Sequence, residues 1–157
     1  MSRYFQAFYA AYPMTELSEA DARAAGNFVE EVVSTDGPRH FVATINSVVE
    51  RIVYPDAEPA PAIEAFHHER YPGLAHWIVS TVRSLENRSV YRAWHYDAHG
   101  ALIRSVAYDF SPEIEDSITY GPDGSLVARL VEYYNESGEL VRSVEYDAAG
   151  KAYEHRL

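Results

Sequence analysis

The stretch Tyr96-Asp-Ala-His-Gly100-Ala-Leu102 returns in outline as Tyr120-Gly-Pro-Asp-Gly124-Ser-Leu126, Tyr134-Asn-Glu-Ser-Gly138-Glu-Leu140 and Tyr146-Asp-Ala-Ala-Gly150. Counting Tyr108, the anchoring tyrosines lie 12, 12, 14 and 12 residues apart. Such spacing suits antiparallel strands of about eight residues joined by short turns. In each phrase the glycine falls where a type I turn is followed by a left-handed residue, which glycine adopts without a Cβ penalty, and a G1 bulge results. A three-residue loop ending at Gly100 sets Asp97 across from Ala101 and Tyr96 across from Leu102. The same arithmetic pairs Tyr120 with Leu126 and Tyr134 with Leu140. The turn Asp109-Phe-Ser-Pro-Glu113 must differ, because Pro112 takes the glycine place and cannot reach positive φ.

Alternation carried along the strands from these turns places Val90, Arg92, Trp94, Tyr96, Leu102, Arg104, Val106, Tyr108, Ile114, Asp116, Ile118 and Tyr120 on one face. Leu126, Ala128, Leu130, Glu132, Tyr134, Leu140, Arg142, Val144 and Tyr146 continue it. The opposite face is mixed and partly acidic, with Ile103, Val127, Val131, Tyr133 and Val141 among its polar residues, and is expected to be wet. Within the first face runs a charged row, Arg92, Arg104, Asp116, Glu132 and Arg142, beside Trp94. Glu132 is expected directly opposite Arg142, and Arg104 diagonal to Asp116 and opposite Trp94. The row reads either as an internal ladder of ion pairs, each contributing about 0.2–1 kcal/mol, or as the polar floor of a groove. In the groove, Arg92 or Arg104 meets an anionic ligand group.

Tyr96-Asp-Ala-His-Gly-Ala-Leu-Ile-Arg104 and Tyr146-Asp-Ala-Ala-Gly150 resemble the YD repeats of bacterial rearrangement-hotspot toxin shells. Tyr134-Asn-Glu-Ser-Gly-Glu-Leu-Val-Arg142 is similar to a MORN-type hairpin repeat. The phrase departs from the pattern at Gly121 and Pro112. The resemblance implies a hairpin scaffold without catalytic residues of its own and a loose link to bacterial toxin systems.

Working outward towards the N-terminus, residues 74–83 read as an aliphatic, β-branched strand that Leu85-Glu-Asn-Arg88 turns into 89–96. Pro61 suits a first helical position, so a helix is expected over 61–70, ending before Pro72-Gly73. Residues 28–33, 40–45 and 48–54 read as strands, with Asn46-Ser47 as the turn between the last two or as part of one long strand. Residues 1–27 are expected to be helical cover: a helix from Arg3 to Tyr12 with Tyr4, Phe8 and Tyr12 on one stripe, and a second opened by the capping-box variant Ser18-Glu-Ala-Asp21 and closed by Gly26-Asn27. Together these make a single α+β, mainly β, domain. It is a twisted antiparallel meander of about eight to ten strands, with one face covered by the short N-terminal helices and the mid-chain helix.

Composition narrows the chemistry. With 47% hydrophobic and 24% charged residues the chain is too apolar for intrinsic disorder, and it has no apolar run long enough for a membrane span. It contains no cysteine, so disulfides and thiolate nucleophiles are excluded, and a metal site would need histidine and carboxylate ligands. No basic, then aliphatic leader is read at the N-terminus, and a cytoplasmic location is expected. A net charge of −11 disfavours nucleic acid and anionic membranes and would attract a basic partner. His67, His68, His76, His95 and His99 are the candidate acid–base groups, though neighbouring His67 and His68 point apart on a helix and cannot readily share a metal. No phosphate-binding loop, dinucleotide fingerprint, nucleophile elbow or zinc-protease motif occurs. The expected function is non-catalytic and needs no cofactor: an acidic cytoplasmic protein-binding domain, such as an immunity protein for a basic toxin. A small-ligand pocket between the helices and the Arg92/Arg104 face, and self-assembly through an edge strand near Tyr153, are the alternatives.

Overall fold

The computed structural model describes residues 2–10 and 13–156. Its elements in chain order are β1 (Arg3–Phe5), β2 (Glu16–Leu17), α1 (Glu19–Ala25), β3 (Phe28–Val32), β4 (His40–Ile45), β5 (Val48–Tyr54), α2 (Pro61–Arg70), β6 (Ala75–Val79), β7 (Arg83–Leu85), β8 (Arg88–Tyr96), β9 (Leu102–Phe110), β10 (Ile114–Tyr120), β11 (Leu126–Tyr134), β12 (Leu140–Asp147) and β13 (Ala152–Arg156). The strands form one open, mostly antiparallel sheet in the order β13-β12-β11-β10-β9-β8-β6-β5-β4-β3-β1-β2, with β7 paired to β8. The fold is α+β and mainly β, as the tyrosine spacing predicts. The chain divides into two compact units, one of residues 1–81 and 95–102 and the other of 82–94 and 103–157.

In the first unit the expected three strands and their turn are present. Asn46 and Ser47 both have positive φ, 51° and 62°, the backbone of a tight primed hairpin turn. The turn is gripped from outside: Asn46 N–H donates to the Asn27 side chain at 2.7 Å, and Ser47 N–H to the Gly26 carbonyl at 2.8 Å. α1 starts and stops where Ser18 and Gly26 dictate. The Ser18 hydroxyl accepts from Asp21 N–H, and Gly26 closes the helix in the left-handed region. The expected helix from Arg3 to Tyr12 is not formed at its start, where Arg3–Phe5 pairs with both β2 and β3; Tyr12 lies outside the described residues. Sheet pairing overrides a helical stripe here because Phe5, 3% exposed, packs edge-on against Phe41.

β5 and β6 run parallel, with α2 as the crossover between them. Pairing puts Ile52, Tyr54, His76 and Ile78 on the face that carries α2, and Phe41, Val53 and Trp77 on the other. Both helices belong to this first unit. In the second unit every described regular element is a strand. The expected strand over 74–83 is shorter, giving way after Val79 to the separate β7.

Candidate functional surface

The turns of the repeat form as the glycines require. Gly121 N–H donates to Ser125 O and Gly124 N–H to Gly121 O, and Gly124 has φ 80°. Asp97, Asn135 and Asp147 each accept from two backbone N–H groups across their turns, at 2.8–3.0 Å. Gly121 lacks that side chain, and Asp123 accepts from Ser125 N–H instead. Tyr120 pairs with Leu126 and Tyr134 with Leu140, as the loop arithmetic predicts. At Pro112 the chain makes a tighter link, with Ser111 N–H donating to Ile114 O.

One step further along each strand the register shifts. Thr119 pairs with Ala128 and Tyr133 with Arg142, so Val127 and Val141 are extra residues opposite the tyrosine ends. A second bulge reverses the parity of everything beyond it. The expected single charged row is split between two faces: these shifts carry Glu132 away from Asp116 and Arg142, and the β9–β10 pairing of Asp116 with Asp109 carries Arg104 away. Glu132 is not opposite Arg142; it faces Glu115 on one side and Ser143 on the other, and Arg142 faces Tyr133.

Asp116, Ile118 and Tyr120 share one face with Arg129, Tyr146 and Arg142. Here the charges are answered. Arg129 grips Asp116 through two bonds of 2.6 and 2.9 Å and lies 5.6 Å from the Tyr146 ring. Arg142 pairs with Glu154 at 2.9 Å and covers Tyr133 at 4.8 Å. The Arg92 guanidinium lies 5.0 Å from the Tyr120 ring and 5.9 Å from Trp94. This Tyr120 face is a ladder of arginines on aromatic rings and carboxylates, and it accounts for Arg92, Trp94, Asp116 and Arg142.

The other face is built differently. Tyr91 stacks on Tyr108 with centroids 4.6 Å apart, and Phe110 meets Tyr91 edge-on. Phe110 pairs with Glu115, and Glu115 with Glu132, on the same side of the sheet. Alternation from Tyr108 puts Arg104 here too, away from Trp94. Like charges directly opposite destabilise a ladder. Burial first, and the Glu132 charge second, push the Glu115 carboxyl above the usual glutamate range. Burial, and next the Glu115 charge, likewise push the Tyr108 phenol up. Tyr91, Tyr108, Phe110 and Glu115 stand outside the charged row expected from the sequence. The signal of the register shift was available: Val131 and Tyr133 are apolar where the simple register exposes them, and Val131, 5% exposed, in fact faces Val144.

The first unit gathers the histidines. His67, His68, His76 and His99 line one cavity of 490 Å³ with Glu64, Tyr71, Pro72, Gly73, Leu74, Ala98 and Gly100. His67 Nε2 donates to the Leu74 carbonyl at 2.9 Å, so its Nδ1 accepts from the Tyr54 hydroxyl, also at 2.9 Å. His40 donates from Nδ1 to Pro38 O and accepts from the Tyr71 hydroxyl. Burial lowers the pKa of both imidazoles, and both act as neutral struts. His95 does not join them. It stacks at 4.2 Å on Trp77, over which Arg51 also lies at 4.1 Å. Among the described residues no group of three histidine or acidic side chains is placed to hold a metal ion, and no helix is long and apolar enough to cross a membrane. The chain matches no family model, no curated protein and no solved structure.

Proposed function

We propose that the chain is an acidic protein-binding domain and that the face carrying Tyr91, Tyr108, Phe110, Glu115 and Glu132 docks a basic protein. The type of partner we favour is a basic toxin, with this chain as its immunity protein. The observation that supports this most is the Glu115–Glu132 pair, two carboxylates set directly across from each other on one sheet face. A lysine or arginine brought between them relieves the repulsion and gains charge-assisted hydrogen bonds. The Tyr91–Tyr108 stack beside them offers a flat aromatic platform for the same side chain, and tyrosine is a common source of interface energy. The net charge of −11 steers such a partner from a distance and raises its association rate. The paired charges of the Tyr120 face leave it a structural role.

The test is affinity capture by the tagged protein from its own cells at low and high salt. A basic protein should be retained at low salt and released at high salt. The Glu115→Lys/Glu132→Lys double variant should lose it, whereas Arg129→Gln on the opposite face should retain it. Capture that ignores the double variant, or a captured protein that is itself acidic, would overturn the proposal.

A further inference from the structure

The 490 Å³ cavity in the first unit has a consistent polarity. Its walls come from Glu64, His67 and His68 of α2, the turn after it, His76 on β6 and the turn Ala98-His99-Gly100. Glu64 is the carboxylate among its lining residues, and no lysine or arginine lines it. His76 is fully buried, its ring held between His67, with centroids 4.1 Å apart, and Tyr96, stacked at 4.5 Å and 4°. Its Nε2 lies 3.2 Å from Glu64 Oε1. Donation there leaves Nδ1 as an acceptor, buried and with no hydrogen-bond partner among the described residues. His67 has both nitrogens engaged and offers only its ring. The side chain of Glu64 is about one-third exposed, at 36%, so a carboxylate edge remains open to a ligand.

A carboxylate, an imidazole acceptor and several aromatic faces, without a fixed positive charge, call for hydrogen-bond donors and positive charge together. We infer that this cavity binds a compact organic cation with N–H donors, a guanidinium or primary ammonium group, with Glu64 as its counter-ion. The imidazole rings of His68 and His99 flank the entering group. The site lies wholly in the first unit and does not depend on the Tyr108 face.

Methylguanidinium titrated into the full chain at neutral pH tests this, with the imidazole signals of His67 and His76 followed by NMR. Saturable shifts are expected, and neither acetamide, a neutral donor of similar shape, nor potassium chloride should reproduce them. Glu64→Gln should weaken binding about tenfold or more, the loss of one charge-assisted bond. His99→Lys, on an exposed turn where folding is not at stake, should weaken it as well by adding like charge. A blocked tetrapeptide carrying one arginine separates the two sources of the group. Tighter binding than methylguanidinium assigns the cavity to a partner's side chain, and weaker binding assigns it to a free small molecule. Shifts that never saturate, acetamide binding equally well, or methylguanidinium binding unchanged in both variants would overturn the inference.

Discussion

Gly37 has no room for a methyl group. A Cβ built there would overlap three carbons of the Phe66 ring, which itself packs on His40 and Tyr54. Gly37→Ala must push Phe66 out of this cluster, and overpacking of this kind costs about 1–3 kcal/mol. Urea unfolding measures the loss; a variant as stable as the parent would show that the ring has somewhere else to go. Tyr54→Phe probes the same cluster from the polar side. It removes the donor to His67 Nδ1 without changing shape, leaving a buried acceptor unmet at a cost of about 1–3 kcal/mol. Neither effect was legible in the sequence. In the sequence Gly37 is simply the residue before Pro38, and the histidines read as possible acid–base groups. What makes them structural is the meeting of β4, β5 and α2, which brings together residues up to 31 positions apart, as in the Tyr71 to His40 bond.

At the scale of the element, the hairpins divide cleanly between what local chemistry dictates and what pairing adds. Gly124 has φ 80° and nothing within 4 Å of a built Cβ, so the cost of Gly124→Ala is conformational alone, about 1–2 kcal/mol. Gly124→Asn should cost less, since asparagine tolerates the left-handed region. Equal losses for the two variants, read from their unfolding midpoints, would mean that the turn does not need that conformation. Ser47, a non-glycine residue at φ 62° whose N–H donates to Gly26 O, gives the opposite sign: Ser47→Gly keeps the bond, relieves the backbone, and should raise stability by about 0.5–1 kcal/mol. The turn glycines, the Tyr-to-Leu pairing and the strands flanking Asn46-Ser47 were legible because each rests on a few consecutive residues. The second bulge was not, because the turn chemistry of Tyr120 to Leu126 is complete without Val127. The shifted register buries Val131 against Val144. That shift moved Glu132 off the face of Asp116 and Arg142 and set it against Glu115, whereas Arg104 left that face at the Pro112 link, beyond which Asp116 pairs with Asp109.

For the whole molecule, pH acts on the two units with opposite sign. His40 and His67 in the first unit have lowered pKa values, chiefly from burial. Such a group takes up its proton more readily when unfolded. The stability it supports is thus present above the ordinary histidine value of about 6.5 and is lost as the pH falls through the lower folded values. Glu115 in the second unit is raised, again chiefly by burial and then by Glu132. The folded state holds that proton more tightly, so acidification towards the usual glutamate range adds stability there. Carboxylates held below their usual range, such as Asp97 and Asp123, titrate only at more acid pH and leave this window clear. Between about pH 6.5 and about pH 5, therefore, the first unit weakens while the Glu115 contribution to the second grows. Amide hydrogen exchange, corrected for its intrinsic pH dependence, separates the two. Protection at Ile52, Val53 and Ile78, buried in the first unit, should fall across this window before protection at Val131 and Val144 in the second. Glu115→Gln should remove the gain in the second unit while leaving the loss in the first. If all five amides lost protection together, or if Val131 and Val144 went first, the buried imidazoles would not be what limits this protein in mild acid.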